Sequence, residues 1–155
     1  MPLALPIDPA QILIDGTWRA ASDTLPVEDP STGQEIARIA RGGAEDIDAA
    51  VAAAQAALGR CTAAERGRLL ARLGKLVEAH EDLLTEVEAR DVGKPLAQAR
   101  ADARALARYC EFYGGAADKV HGTTIPYLDG YTVYTLREPH GVTGHIVPWN
   151  YPMQI

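Results

Sequence analysis

Alanine is distributed unevenly along the chain, and this distribution constrains the fold more than any other feature. The chain has 155 residues, and all 27 alanines lie at or before Ala117. Of the nine aromatic residues, only Trp18 precedes Tyr109. Alanine favours helix, whereas tyrosine, valine and threonine favour pleated sheet. The sequence therefore predicts a helical region that gives way to sheet near residue 118.

Three stretches of the alanine-rich region have the apolar spacing of amphipathic helices. The first carries Ile47, Val51, Ala54 and Leu58 on one face; the second follows a Thr62–Glu65 capping box and ends at Gly93 and Pro95; the third carries Leu96, Ala99, Ala103, Leu106, Cys110 and Tyr113. Short connections join them. The spacing predicts three helices packed in one layer.

Strands are predicted on both sides of these helices. Turn signals at Asp15-Gly16 and at residues 29–33 divide the first 42 residues into short strands. After the helices, residues 131–136 alternate as a strand, and residues 141–147 read as another strand that Pro148 stops.

Composition excludes several functional classes. The formal net charge is −6, which argues against binding nucleic acid through phosphate neutralisation. No stretch is apolar enough to span a membrane, and the first 15 residues lack a cationic signal-peptide start. Two cysteines provide no disulfide framework and fit a reducing compartment. We expect a cytoplasmic protein.

No catalytic cysteine or metal site is predicted. Cys110 lies on an apolar helix face and is interpreted as a buried structural residue, and no histidine near Cys61 could activate its thiol. His140 and His145 are five residues apart on a predicted strand and so face opposite sides. A further pattern is the basic ridge of Arg100, Arg104 and Arg108, interpreted as a solvated face with Asp102 and Glu111 near its flanks.

The segment Pro148-Trp149-Asn150-Tyr151-Pro152 directly follows a predicted strand. Two prolines make its backbone rigid, and ligands of open α/β sheets bind beyond the carboxyl ends of strands. An amide there can donate an N–H to a developing oxyanion. The alternative is a proline-rich turn around a packed tryptophan, and the physical pattern alone favours that alternative.

Residues 138–152 change this weighting because they resemble the aldehyde dehydrogenase superfamily. The family phrase E-P-x-G-V-x-x-x-I-x-P-W-N-[FY]-P is matched at every fixed position. Upstream, residues 29–33, Glu65-Arg66 and Asp91-Val92-Gly93-Lys94-Pro95 are also similar to family segments. One departure is residues 58–61, where relatives carry a slightly longer connection with a tryptophan.

The resemblance implies an α/β fold, the N-terminal part of the family's three-layer architecture. It comprises short strands, three amphipathic helices, an oligomerisation hairpin and a first Rossmann-type strand. Residues 1–121 would form the hairpin and helical part of the dinucleotide-binding domain. Residues 122–138 would form the first strands of the oligomerisation element, and residues 139–155 the first strand of the nucleotide fold. The complete protein would be a homo-oligomer, a dimer or a tetramer.

The resemblance also implies a chemistry. In the family a cysteine thiolate attacks an aldehyde, hydride passes to NAD or NADP, and water hydrolyses the thioester with help from a glutamate. Asn150 matches the asparagine that stabilises the oxyanion. Ile146, Val147, Pro148, Trp149 and Asn150 match cofactor-binding positions, and Tyr151 and Ile155 match walls of the substrate tunnel.

The family's cysteine and glutamate phrases, similar to G-Q-x-C and E-L-G-G, do not occur in residues 1–155. We therefore expect the 155-residue chain alone to be inactive. An alternative is a non-catalytic subunit that pairs with complete subunits through the strand at residues 131–136, whose edge offers unpaired backbone groups. A third possibility is a plain helical scaffold.

Overall fold

The structure, a computed structural model, describes residues 5–155. Within that range the elements follow the order β1 (Gln11–Ile14), β2 (Thr17–Ala20), β3 (Asp23–Asp29), β4 (Gln34–Arg41), α1 (Ala44–Ala57), α2 (Ala63–Ala79), α3 (Glu81–Val92), α4 (Leu96–Ala116), β5 (Thr124–Ile125) and β6 (Val133–Tyr134). The strands form three separate antiparallel pairs, β1–β2, β3–β4 and β5–β6.

Both predicted N-terminal turns are confirmed. Asp15 and Gly16 have φ values of 51° and 71°, the left-handed pair that a two-residue hairpin turn requires, and they join β1 to β2. In the turn between β3 and β4, the Asp29 carboxylate accepts hydrogen bonds from the backbone N–H and the hydroxyl of Ser31. These bonds lower the pKa of Asp29 below its ordinary value.

Local capping signals define the helix ends, but the described chain has four helices rather than the predicted three, and only α2, α3 and α4 pack together. The first predicted helix, α1, buries no residue and lies against β1, so the prediction of one layer that includes it is wrong. Thr62 caps α2, and its backbone N–H donates to Glu65 Oε2 at 2.8 Å, as the capping box predicts. The long second helix is divided at His80, whose φ of −114° and ψ of 21° leave the helical region. The ring Nδ1 of His80 lies 2.8 Å from the Leu76 carbonyl oxygen, so this side chain satisfies the end of α2.

Helices α2 and α4 pack with their backbones in close approach. A Cβ added at Gly67 would lie 2.5 Å from the carbonyl oxygen of Gly114, and one at Gly74 would lie 3.1 Å from that of Ala107. The core of this contact is made of small residues: Ala99, Ala103, Ala107, Cys110 and Val77 are buried. Cys110 is thus the buried structural residue that the sequence predicts.

The predicted strand at residues 141–147 is not a strand in this structure. No backbone hydrogen bond joins residues 141–149 to any other part of the described chain. A parallel strand is stable only between neighbouring strands with both faces covered, and residues 5–155 supply neither. The strand predicted at 131–136 is likewise reduced to Val133–Tyr134. The division at residues 121 and 138 stays a prediction.

Candidate functional site

Lys94 lies at the centre of a buried cluster between α3 and α4. Its Nζ donates to Glu88 Oε1 at 2.6 Å and to Asp102 Oδ2 at 2.7 Å. The side chains of Lys94, Glu88 and Asp102 are 7%, 2% and 5% exposed, so water contributes little to their solvation. We call these three residues the Lys94 cluster.

The sequence around Lys94 explains how it enters the interior. Gly93 ends α3 with a φ of 76°, and a Cβ there would lie 2.6 Å from Pro30 Cγ, so glycine is needed for both the left-handed backbone and the space. Pro95 then precedes α4 and cannot continue the preceding helix. Lys94 therefore sits in a tight corner with Glu88 on the helix before it and Asp102 on the helix after it.

Burial and ion pairing act in opposite directions on Lys94. Burial, the largest single influence, lowers the pKa of its ammonium group, because a charge in the interior loses its hydration. The hydrogen bonds to Asp102 and Glu88 and the charges of both carboxylates outweigh burial, and the pKa lies above its ordinary value. Lys94 therefore carries its charge throughout the neutral range.

The cluster also holds the C-terminal segment. Lys94 Nζ donates to the backbone carbonyl oxygen of Asn150 at 2.9 Å and lies 4.4 Å from the centre of the Tyr151 ring. Gln154 Nε2 donates to the other oxygen of Asp102, Oδ1, at 2.8 Å. Gln98 on α4 adds a bond of 3.2 Å to the Tyr151 hydroxyl. Residues 150–154, which we call the docked segment, are thus fixed to α4 and to the corner before it.

The residues predicted to form the site lie on both sides of this attachment. Ile146 is fully exposed and Trp149 is 84% exposed, whereas Tyr151 is half-buried against Lys94. The remaining predicted residues are either exposed or half-buried: Val147, Pro148, Asn150 and Ile155. Two surface cavities of the described chain are lined by other residues. The predicted site residues share one short segment, and the N-terminal half of that segment is exposed to solvent.

Other features of the described chain lie away from this segment. A surface cavity of about 750 Å³ lies between the end of α1, the start of α2 and residues 137–139, and no predicted site residue lines it. Across residues 5–155, no three His, Cys, Asp or Glu side chains are grouped to hold a metal ion. None of the described helices has the length and apolar character needed to cross a membrane.

Sequence reasoning missed the Lys94 cluster and placed Asp102 wrongly. Asp102 was expected near the flank of a solvated ridge, but it is 4% exposed and faces the core beside Ala99 and Ala103. The ridge itself is largely solvated as expected: the side chains of Arg100 and Arg104 are 40% and 66% exposed, and both pair with the less exposed Glu81. A signal was available: Asp102 falls three residues after Ala99, on the buried side of the predicted helix.

Two of the solved structures that this chain resembles are complexes with NAD. PnpE in complex with nicotinamide adenine dinucleotide has a TM-score of 0.87 and 38% identity, over 96% of this chain and 31% of that chain. The NAD⁺ complex of aldehyde dehydrogenase from Bacillus cereus has a TM-score of 0.87 and 37% identity, over 93% of this chain and 31% of that chain. A Burkholderia cenocepacia protein assigned to the aldehyde dehydrogenases has a TM-score of 0.86 and 62% identity, over 91% of this chain and 31% of that chain. These likenesses confirm the predicted fold class.

Curated sequences agree with the structures. Aldehyde dehydrogenase family 2 member B4 of Arabidopsis thaliana, a mitochondrial protein, is 45% identical over 92% of this chain and 28% of its own length. Hydroxyisobutyraldehyde dehydrogenase of Mycolicibacterium austroafricanum is 43% identical over 95% and 30%. The chain spans about 30% of the length of the curated relatives that it matches.

The family model described as "Aldehyde dehydrogenase family" matches residues 18–155. The members of this family are oxidoreductases. The chain belongs to the aldehyde dehydrogenase family, and the segment it matches is the N-terminal portion.

Proposed function

We propose that this chain is the N-terminal portion of an NAD(P)-dependent aldehyde dehydrogenase that oxidises an aldehyde to a carboxylic acid. The observation that carries the proposal is the family match over residues 18–155, which includes the whole segment from Pro148 to Pro152. The nucleophilic cysteine and the assisting glutamate would come from outside these residues.

Asn150 would stabilise the oxyanion that forms when the aldehyde carbonyl is attacked. Its side-chain amide is exposed on a turn, while its backbone carbonyl is held by Lys94. An N–H fixed before the reaction loses little energy to reorganisation when negative charge develops. This arrangement supports a donor role, and the 84% exposure of Trp149 argues against the alternative of a proline-rich turn around a packed tryptophan.

Residues 146–149 would form one side of the cofactor site. Their backbone groups make no hydrogen bond within the described chain, and Ile146 and Trp149 are open to solvent. Free backbone N–H and C=O groups beside apolar side chains fit a dinucleotide, which presents both polar and ring surfaces. The chemistry that NAD or NADP supplies when bound is acceptance of a hydride.

Tyr151 and Ile155 would contribute to the wall of the substrate tunnel. Ile155 is 71% exposed, so its side chain is available to an apolar substrate. Tyr151 is half-buried and its position is set by Lys94 and Gln98. The aldehyde would meet a movable aliphatic group and a fixed aromatic ring.

The β5–β6 pair would contribute to a homo-oligomer interface in a dimer or tetramer. Tyr134 on β6 and the nearby Tyr131 and Leu136 are each more than 60% exposed, and exposed large apolar side chains that lie close together are typical of an interaction surface. The same surface supports the alternative function of a non-catalytic subunit. For location we retain the cytoplasm, because Cys61 and Cys110 are both free thiols.

A chimera tests the enzymatic proposal. The part of this chain that matches the Burkholderia cenocepacia relative would replace the corresponding segment of that protein, and NADH or NADPH formation would be followed with a panel of aldehydes. We expect oxidation with at least one of the two cofactors. A folded chimera that reduces neither cofactor, while the parent protein does, would contradict the proposal.

Asn150→Ala in the chimera tests the role of the amide. We expect kcat to fall about 10²–10³-fold, the usual cost of losing one oxyanion donor. Gln34→Ala, which removes an exposed amide on β4, is the matched control and should leave kcat unchanged. An Asn150→Ala chimera with full kcat would favour the scaffold alternative.

The isolated 155-residue chain should be inactive. Residues 1–155 contain neither of the phrases expected to carry the cysteine and the glutamate. Purified chain mixed with aldehyde and cofactor should form no NADH or NADPH above a blank. Cofactor reduction by the chain alone would contradict this expectation.

A further inference from the structure

Lys94 has more partners than an ion pair needs. A lysine ammonium has three N–H donors, and here they meet three acceptors: Glu88, Asp102 and the Asn150 carbonyl oxygen. The third acceptor lies 56 residues further along the chain. A cluster that served only to join α3 to α4 would need only the first two.

A buried carboxylate of the cluster, that of Asp102, also contacts the docked segment directly. Asp102 uses Oδ2 for Lys94 and Oδ1 for the amide of Gln154. The docked segment is therefore bonded to the cluster at both of its ends, through Asn150 and through Gln154. Between them, the Tyr151 ring lies over the Lys94 ammonium, a geometry that attracts a cation to an aromatic face.

We propose that Lys94, held by Glu88 and Asp102, is a positioning residue for Asn150. The bond from Nζ fixes the carbonyl of Asn150, and so fixes the backbone from which its side-chain amide projects. The amide would then stay aimed at one point while residues 146–149 rearrange around a cofactor. The catalytic part of this inference rests on the proposed function, whereas the anchoring itself does not.

The rival explanation is that the cluster only stabilises the helical layer. Under that explanation Lys94 affects the amount of folded protein but not the order of Asn150 in the molecules that are folded. Under the positioning role, loss of Lys94 frees the docked segment even when α2 and α4 remain packed. The order of the Asn150 backbone amide therefore separates the two explanations.

The first experiment measures ¹⁵N relaxation in the complete 155-residue chain. We expect the order parameter of Asn150 to be near 0.85 in the unsubstituted chain and to fall below about 0.6 in Lys94→Met. Lys75→Met, which removes an exposed lysine paired with Glu78, is the matched control and should change nothing at Asn150. A folded Lys94→Met chain with an ordered Asn150 would overturn the proposal.

Lys94→Met leaves two buried carboxylates without a cation, and that variant can fail to fold. A triple variant, Glu88→Gln with Lys94→Met and Asp102→Asn, removes the three charges together and should also release Asn150. If neither variant folds, a measurement on the unsubstituted chain still tests the proposal. Tyr151 should shift the Lys94 ε-methylene protons upfield, since Nζ lies 4.4 Å from the ring centre, and unshifted protons would overturn the proposal.

The second experiment is a double-mutant cycle in the chimera. Lys94→Met should lower kcat about 10–100-fold with little change in the KM for cofactor, because misplacing a catalytic group by about 1 Å has effects of this size. In an Asn150→Ala background the same substitution should lower kcat less than about twofold, since its target is gone. Equal losses in both backgrounds would overturn the positioning role. An inactive chimera with a Lys94-dependent Asn150 order would refute the proposed function and leave the anchoring intact.

Discussion

The two halves of the C-terminal segment differ in what holds them. Residues 141–149 make no backbone hydrogen bond to the rest of the described chain, and Ile146 is fully exposed. The docked segment, residues 150–154, is bonded to buried groups at Asn150 and Gln154. The boundary between the two falls at the residue that we propose as the oxyanion donor.

This difference follows from where the partners of each half lie. A strand of a parallel sheet depends on neighbouring strands, which residues 5–155 do not provide. The docked segment depends on Lys94 and Asp102, which the helical layer supplies. The chain thus builds the support of the proposed oxyanion donor by itself, whereas the proposed cofactor edge needs further strands.

The largest expected effect comes from breaking the Lys94 cluster. Lys94→Met should lower the free energy of unfolding by about 3–5 kcal/mol, because it leaves the charges of Glu88 and Asp102 in the interior without a cation. Urea denaturation followed by helical circular dichroism measures the change. Lys75→Met should cost less than about 1 kcal/mol, since its ion pair is exposed. Similar losses of unfolding free energy in the two variants would contradict the claim that the Lys94 cluster stabilises the chain.

A smaller effect is expected from alkaline pH. The pKa of Lys94 is raised in the folded chain, so its contribution to stability is complete below the ordinary lysine pKa of 10.5 and is lost as the pH rises through the higher pKa of the folded chain. NMR spectra of the docked segment should therefore stay constant through neutrality and change only in that alkaline range. Release of Asn150 near neutral pH would contradict the sign of this shift.

Gln154→Ala should have a smaller effect on stability than Lys94→Met. It removes one hydrogen bond to a buried carboxylate but leaves Asp102 paired with Lys94, so we expect a loss of about 1–2 kcal/mol in the free energy of unfolding. Gln55→Ala on the exposed surface of α1 is the matched control. A loss no greater than that of the control would show that the hydrogen bond from Gln154 to Asp102 does not stabilise the chain.

The smallest effect is expected in the uncovered half. Ile146→Ala should change the unfolding free energy of the chain by less than about 0.5 kcal/mol, because its side chain contacts nothing that folding buries. Ile36→Ala, at a position 5% exposed on β4, should cost about 2–5 kcal/mol by the same denaturation assay. An equal cost at the two positions would remove the contrast between covered and uncovered segments.

Short-range signals predicted much of the fold. The Asp15-Gly16 turn, the Thr62–Glu65 capping box and the Gly93 helix end each depend on residues a few positions apart, and each is present. The break at His80 was missed because the apolar periodicity continues through it. The strand at 141–147 was predicted from its own residues, but a parallel strand depends on others.

Asn150, the proposed oxyanion donor, and the cluster that holds it differ in how far the sequence could predict them. Asn150 was proposed because it lies within a long phrase specific to one family. Glu88 and Asp102 were missed because charged residues are seldom buried, and their common partner acts on a residue 56 positions away. Pattern reasoning within one helix cannot bring such groups together.

The most direct test is the profile of backbone ¹⁵N order parameters along residues 141–154 of the unsubstituted chain, to which Pro148 and Pro152 contribute no amide. We predict a step at Asn150, with values below about 0.6 for residues before it and near 0.85 from Asn150 to Gln154. A uniform profile through Asn150, whether rigid or mobile, would contradict the claim that the Lys94 cluster fixes this amide.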